Sequence, residues 1–283
     1  RMAISAELLK RKVEDLSSLP TLPAFITVIT NMVDDDSSNA QEIGEIIQRD
    51  QVLSAKILKL VNSPVYGFPR RISSVTHALV LLGFNVVKGL VLSTAVFNDL
   101  AKDTSGLWDH SLGTAILSRH IGQALGVQDP EECMIAGLLH DLGKVILSHL
   151  ALDDYIGVIH TAHERGCHVA VVEREVFGVD HTRIALWLAL RWHLPERLTD
   201  ALTYHHAPSR AKCSRQMAAI VHLADILARA QEYGESGDGT MPPLDGEAFA
   251  SLGLTDEQLE KILAAADAQY REGAGVLAMG AVR

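Results

Sequence analysis

The chain has 283 residues, 48% of them hydrophobic and 21% charged, and a formal net charge of −10. That length and apolar content suffice for one large core or two modest ones. The acidic balance argues against the broad basic surface that covering a nucleic-acid duplex requires, while leaving room for a local basic pocket. Cys133, Cys167 and Cys213 lack CxxC spacing and read as reduced, mostly buried thiols of an intracellular protein. The opening RMAISAELLKRKVEDL is amphipathic and charged rather than a signal peptide, so the expected location is cytoplasmic.

Helical periodicity dominates and no convincing alternating strand pattern occurs, so the expected fold class is all-α. A first amphipathic segment over 4–16 is broken by the prolines of LPTLP (19–23), and a helix over 24–33 ends in DDDSSN. Helices are expected over 40–48, 52–61 and 73–98, punctuated by NSPVYGFPRR (62–71). The apolar run His77–Phe97 approaches membrane-spanning length, but Gly83, Asn85 and Lys88 interrupt it. It reads as two buried helical segments joined at Leu82-Gly83, with no membrane span.

A polar break, Asp103-Thr104-Ser105-Gly106, opens the second half. Helices follow over 107–125, 130–149, 152–165, 168–177, 181–192, 195–205 and 214–232. GESGDGTMPPLDGE (234–247) reads as a linker, and Thr255-Asp256-Glu257-Gln258 as a capping box opening a last helix over 255–272. That helix docks on its own body or on a partner, the former being the simpler expectation. The expected organisation is 1–102, 103–232 and 233–283: two helical halves, then the linker with the terminal helix.

Of 13 histidines, all but His77 lie between residues 110 and 222. The sharpest signal is AGLLHDLGKVIL (136–147). There His140 and Asp141 interrupt an apolar helix, where such groups are costly unless partnered. A histidine satisfied by its neighbour would explain that pair alone. Further imidazoles and carboxylates stand near helix ends or within apolar helices, in LWDHS (107–111), VDH (179–181), YHHAP (204–208) and HLAD (222–225). Such nitrogen and oxygen donors suit a divalent centre, with a carboxylate bridging if two ions are held.

The pattern formed by His110, His140-Asp141 and Asp225 resembles the HD superfamily of metal-dependent phosphohydrolases. His181 and His205-His206 match the additional histidines of members holding two or more metals, and HDLGK (140–144) resembles the HD-GYP phosphodiesterases. LPTLP (19–23), RDQVLSAKILKLVNSPVYG (49–67) and ISSVTHALVLLGFNVVKGLVLS (72–93) resemble the hallmarks of the HDOD domain. The likeness spans roughly 18–230 and implies an all-helical HDOD bundle in bacterial signalling or regulation. Many HDOD members look like degenerate HD domains, yet this chain keeps nearly every ligand position. It departs from HD-GYP enzymes in having APSRAK after His205-His206, without the GYP motif. Gly106 stands where some trinuclear relatives carry a glutamate, so a third metal and cyclic-di-GMP hydrolysis are not expected.

By this resemblance Asp141 would bridge two divalent ions. His110, His140 and Asp225 would complete one site, and His181, His205 and, as the weakest candidate, His206 the other. Iron is the first expectation, with manganese, zinc or nickel compatible. The implied function is a metal-binding regulatory domain, its partners being signalling proteins or a small phosphorylated or nucleotide ligand. The alternative is a phosphohydrolase, in which Asp141 and Lys144 would be catalytic. Lys144 otherwise reads as a snorkelling surface lysine. His120, His149, His160, His163, His168 and His193 are expected in surface or capping roles, and Trp187 and Trp192 in the core. Asn62 to Gly67 reads as a structural stop and turn.

Overall fold

The computed structural model describes residues 4–15, 40–48, 51–64, 66, 71–100 and 105–278. LPTLP (19–23), the helix expected over 24–33, residues 65 and 67–70 of NSPVYGFPRR and the start of the polar break at 103–104 lie outside these residues. Among the described residues the chain forms fifteen α-helices, one 3-10 turn at Pro208–Arg210 and no strand. The first five are α1 (Ala6–Glu14), α2 (Ala40–Gln48), α3 (Gln51–Val61), α4 (Val75–Leu82) and α5 (Phe84–Leu100). Then come α6 (Ser105–Ala124), α7 (Pro130–Leu139), α8 (Leu142–Leu150), α9 (Leu152–Arg165) and α10 (Val169–Phe177). The last five are α11 (His181–Arg191), α12 (Glu196–Tyr204), α13 (Arg215–Ala230), α14 (Gly246–Leu252) and α15 (Asp256–Ala278).

Local chemistry sets many of these boundaries. Ser5, Ser74, Asp180, Ser214 and Asp245 each place a side-chain oxygen on a free N–H of the turn they open. Gly166 and Gly178, both left-handed, end α9 and α10. The expected capping box is present: the Thr255 N–H donates to Gln258 Oε1 at 3.0 Å, and the Gln258 N–H to Thr255 Oγ1 at 3.2 Å. Only α14, which starts at the end of the expected linker and fills the stretch before the last helix, is not expected from the sequence.

α6 is the central column, packed against α7, α13 and α15. It buries Leu112, Ala115, Ile116, Leu117 and Ile121 completely or nearly so. α5 lies against α7 and α8, and α1 against α11. The apolar run 77–97 is split as expected, with α4 ending at Gly83 and α5 starting at Phe84, but α4 is not a buried segment throughout: Val80 and Leu81 face outward, exposed. Lys88, in its centre, is buried and donates to the His193 carbonyl at 3.0 Å, so its charge belongs to a folded core rather than a bilayer. Pro130–Leu150 is the one stretch among the described residues long and apolar enough to cross a membrane, and 89% of its most apolar window is buried in the fold. The turn after α3 has a structural function: Asn62 donates to the Leu58 and Ile72 carbonyls and accepts from the Ile72 N–H.

α15 docks on its own body. Tyr270 stacks on Tyr233 with ring centroids 4.0 Å apart, and Gln269 meets His120 Nε2 at 2.7 Å. Trp192 is buried, and Trp187 packs partly buried against the core. The thiols depart from expectation: Cys133 is buried, Cys167 only half-buried and Cys213 exposed, and all three are free.

Candidate metal centre

Sequence reasoning treats 130–149 as one helix, in which adjacent residues point about 100° apart. In the structure the helix breaks at His140-Asp141, where Asp141 adopts φ −94°, ψ 14° and α8 restarts at Leu142. The break turns both side chains to one point. Gly143 then brings in α11: a Cβ there would lie 1.9 Å from the His181 carbonyl oxygen, so only glycine admits this approach. α6 contributes His110, the end of α12 His205 and His206, and the middle of α13 Asp225. Asp200 holds the turn between α12 and α13, its Oδ2 accepting from the N–H groups of Lys212 at 2.8 Å, Cys213 and Ser214 at 2.9 Å.

All seven residues that the sequence selects converge. His110, His140, Asp141, His181, His205 and Asp225 have side chains no more than 1% exposed, and that of His206 is 18% exposed. Asp141 stands at the centre with its oxygens facing opposite ways. Oδ2 lies 3.3 Å from His140 Nε2 and 3.8 Å from His110 Nε2, while Oδ1 lies 3.5 Å from His181 Nε2 and 3.8 Å from His205 Nε2. Asp225 Oδ1 is 3.0 Å from His110 Nε2 and 3.9 Å from His140 Nε2. Donor atoms thus fall into two groups, each within 4.8 Å: His110, His140 and Asp225, and Asp141 with His181, His205 and His206.

Hydrogen bonds behind the cluster fix the tautomers. His140 Nδ1 donates to the Gly137 carbonyl at 2.6 Å and His205 Nδ1 to the Leu202 carbonyl at 3.0 Å. A carbonyl only accepts, so Nδ1 carries a proton in each ring and Nε2 is the atom turned to the cluster. Those two atoms, His206 Nδ1 and Asp141 Oδ1 are buried without hydrogen-bond partners, while Asp141 Oδ2 meets Lys144 Nζ at 2.8 Å and His110 Nε2 lies 3.0 Å from Asp225 Oδ1. Each such orphan costs about 1–3 kcal/mol. The residues present therefore fit divalent ions, which would satisfy these atoms together.

Burial pushes the basicity of His110, His205 and His206 down, keeping these rings neutral and able to ligate. Asp141 and Asp225 are held well below the usual carboxylate range. Burial alone would raise them, and it is outweighed at Asp141 by His140 and Lys144, and at Asp225 by Arg229 and His110. His181 is raised despite its burial, because Glu173 lies beside it.

Four contributors went unselected in the sequence. Glu173 is fully buried and accepts from His181 Nδ1 at 2.7 Å, from the His181 N–H at 2.8 Å and from the Tyr155 hydroxyl at 3.1 Å. Its signal was available: Val169, Glu173 and Phe177 share the buried stripe of α10, and a glutamate there needs a partner. Asp238 comes from the expected linker, where nothing in the sequence distinguishes it, and Arg229 from the last turn of α13. His168 caps α10 as expected, but also stands 4.4 Å, ring to ring, from His206. Lys144 is no surface lysine: it is 1% exposed, and its Nζ lies 2.8 Å from Asp141 Oδ2 and 3.0 Å from Asp238 Oδ2. His222 supports the site, with Nδ1 donating to the His205 carbonyl at 2.7 Å and Nε2 accepting from the Asp245 N–H at 2.9 Å.

Residues 19–208 match the HDOD domain family. The chain belongs to the HDOD family. A Treponema pallidum protein without an assigned function is 26% identical to this HDOD protein over 219 residues, covering 76% of the chain and 43% of the relative. The HDOD chain spans less than half the length of each of the three curated relatives it matches. An HDOD domain protein of Geobacter sulfurreducens, of unknown function, aligns at 26% identity and a TM-score of 0.66 over 94% of this chain and 99% of its own. A Shewanella amazonensis protein named as a candidate phosphohydrolase shares the fold at 24% identity and a TM-score of 0.71, over 95% of this chain and 97% of its own.

Proposed function

We propose that this HDOD protein is a bacterial regulatory domain holding two divalent ions bridged by Asp141. His110, His140 and Asp225 would hold one ion, and His181, His205 and His206 the other. The observation that carries this reading is the set of buried, unpartnered Nε2 and carboxylate atoms around Asp141. Iron is the first candidate, and manganese, zinc and nickel suit the same mixed donors. Free thiols fit a reducing compartment, which supports placement in the cytoplasm. The partner would be a signalling protein or a small phosphorylated or nucleotide ligand.

One observation favours a second reading, a phosphohydrolase. Buried Lys144 touches Asp141, where it can meet a phosphoryl oxygen. Bound divalent ions supply Lewis acidity at such a site. The chain's own residues would bind the phosphate at Lys144, orient the ligands through Glu173 and His222, and keep bulk water from the cluster by burial.

Elemental analysis of protein purified without chelators tests the metal reading, with Asp141→Asn beside the parent protein. About two equivalents, falling below one in the folded variant, are expected. A clear deficit from one equivalent in the parent would refute it. Turnover of a chromogenic phosphodiester that vanishes in Asp141→Asn would select the enzyme reading.

A further inference from the structure

The loop that follows α13 folds back over the metal cluster and inserts a carboxylate beside it. The Asp238 side chain is fully buried. Its Oδ2 accepts from Lys144 Nζ at 3.0 Å and from Arg229 Nη1, and its Oδ1 from the Val169 N–H at the start of α10 at 2.9 Å, with His168 Nε2 at 3.2 Å. Two cations, an imidazole and a helix-opening amide around one anion form a donor set suited to a phosphoryl group. Both cations also touch the metal cluster, Lys144 at Asp141 and Arg229 Nε at Asp225 Oδ1 at 2.7 Å. The anion position is therefore continuous with the cluster.

The loop is seated at defined points. The Glu235 N–H donates to the Gly106 carbonyl at 2.9 Å, and the Ser236 carbonyl accepts from Lys144 at 2.9 Å. A Cβ on Gly106 would lie 2.7 Å from Glu235 Cβ and 2.9 Å from its backbone nitrogen, so the glycine that departs from the trinuclear pattern is what lets the loop close. Outside the loop lies a cavity of about 520 Å³, lined by Lys144, Tyr155, Ile159, His163, Arg229 and Asp238 among others. That volume is in the range of pockets holding small organic ligands.

We propose that Lys144, Arg229, His168 and the Val169 amide form a phosphoryl-anion site that the chain's own Asp238 occupies, making residues 234–239 a displaceable stopper between the cavity and the metal cluster. A phosphomonoester or phosphodiester entering from the cavity displaces the carboxylate and takes over its three donors and the imidazole beside them. This deepens the metal-centre reading by naming its ligand class and its closed state, and it rests on that reading. The anion site itself is formed by protein groups and is testable without metal.

The test is anion rescue in the full chain, both as purified and stripped with chelator. Asp238→Gly leaves Lys144 and Arg229 without their shared partner, so its melting temperature falls. Inorganic phosphate at a hundredfold excess over its dissociation constant should then restore about 5 °C beyond matched sodium chloride. The parent should gain no more from phosphate than from chloride, and Asp238→Gly combined with Arg229→Met should lose the rescue. Equal responses to phosphate and chloride in Asp238→Gly overturn the proposal, as does phosphate binding as tight in the parent as in the variant. If Asp238→Gly does not fold, Asp238→Asn replaces it in calorimetric titration, where at least tenfold tighter phosphate binding than in the parent is expected and equality overturns the idea. Absence of metal in the parent would sink the metal reading while leaving the rescue result to stand or fall alone.

Discussion

Glu173→Gln isolates what the buried glutamate does for the metal cluster. Glu173 Oε2 takes both the Nδ1–H and the backbone N–H of His181, and Oε1 takes the Tyr155 hydroxyl. A glutamine can keep the first two with its carbonyl oxygen and offer its NH₂ to a rotated Tyr155 hydroxyl, so no buried group need be orphaned. The cost to folding is the difference between charge-assisted and neutral hydrogen bonds, about 1 kcal/mol. The effect on metal is larger. Without the carboxylate, His181 is a weaker and less firmly oriented donor, and losing such a supporting group weakens metal binding roughly 10- to 100-fold. Competition titration of stripped protein against a fluorescent chelator reads this directly. Two affinity classes are expected, and Glu173→Gln should weaken the class containing His181 while sparing that of His110, His140 and Asp225. Equal weakening of both classes, or none, refutes the reasoning.

Gly143→Ala should separate α8 from α11, since its Cβ would meet the His181 carbonyl at 1.9 Å. A loss of about 1–3 kcal/mol or more in urea unfolding is expected, with metal reduced at the His181 side, and an unchanged midpoint would contradict the packing. Chelator stripping should lower the melting temperature and reloading should restore it, because the ions bind only the folded cluster; identical melts would show the cluster to be stable without metal. Stripped protein should also lose stability as the pH falls below 6.5. Burial holds His110, His205 and His206 below the ordinary imidazole value of 6.5 and pushes His168 to about 4, so the unfolded chain binds protons there that the fold excludes. His181, raised, works the other way: its contribution is complete below 6.5 and is lost as the pH rises through its folded value. With His120 and His222, which burial also lowers, six rings outweigh it, so urea midpoints between pH 7.5 and 5 should fall, and a midpoint constant or rising toward acid would contradict this.

The positions of the seven selected residues were legible because each interrupts an apolar helix or stands at a helix end. Most helix positions followed from periodicity and capping signals. What escaped depended on tertiary contact. The break at His140-Asp141 has no proline or glycine of its own to announce it. Asp238 lies in a Gly- and Pro-rich stretch whose composition says only that it turns. Lys144 could be read either as a snorkelling surface group or as a catalytic one, and its burial against Asp141 and Asp238 depends on what tertiary structure places opposite it. Glu173 alone could have been found in the sequence, as an acid on the buried stripe of an otherwise apolar helix.

The wall formed by α5 has a consequence for anyone dissecting this chain. α5 covers α7 and α8, and its Lys88 binds the carbonyl of His193 across the boundary. Asn85 donates to Glu132 at 2.9 Å, and Arg119 reaches back to the Tyr66 carbonyl at 3.1 Å. The histidine-bearing half is thus not a portable module. Expressed without the first hundred residues, it would present the bare backs of the helices around the histidine–aspartate cluster to water, and its oligomeric behaviour would describe that exposed surface rather than the native protein.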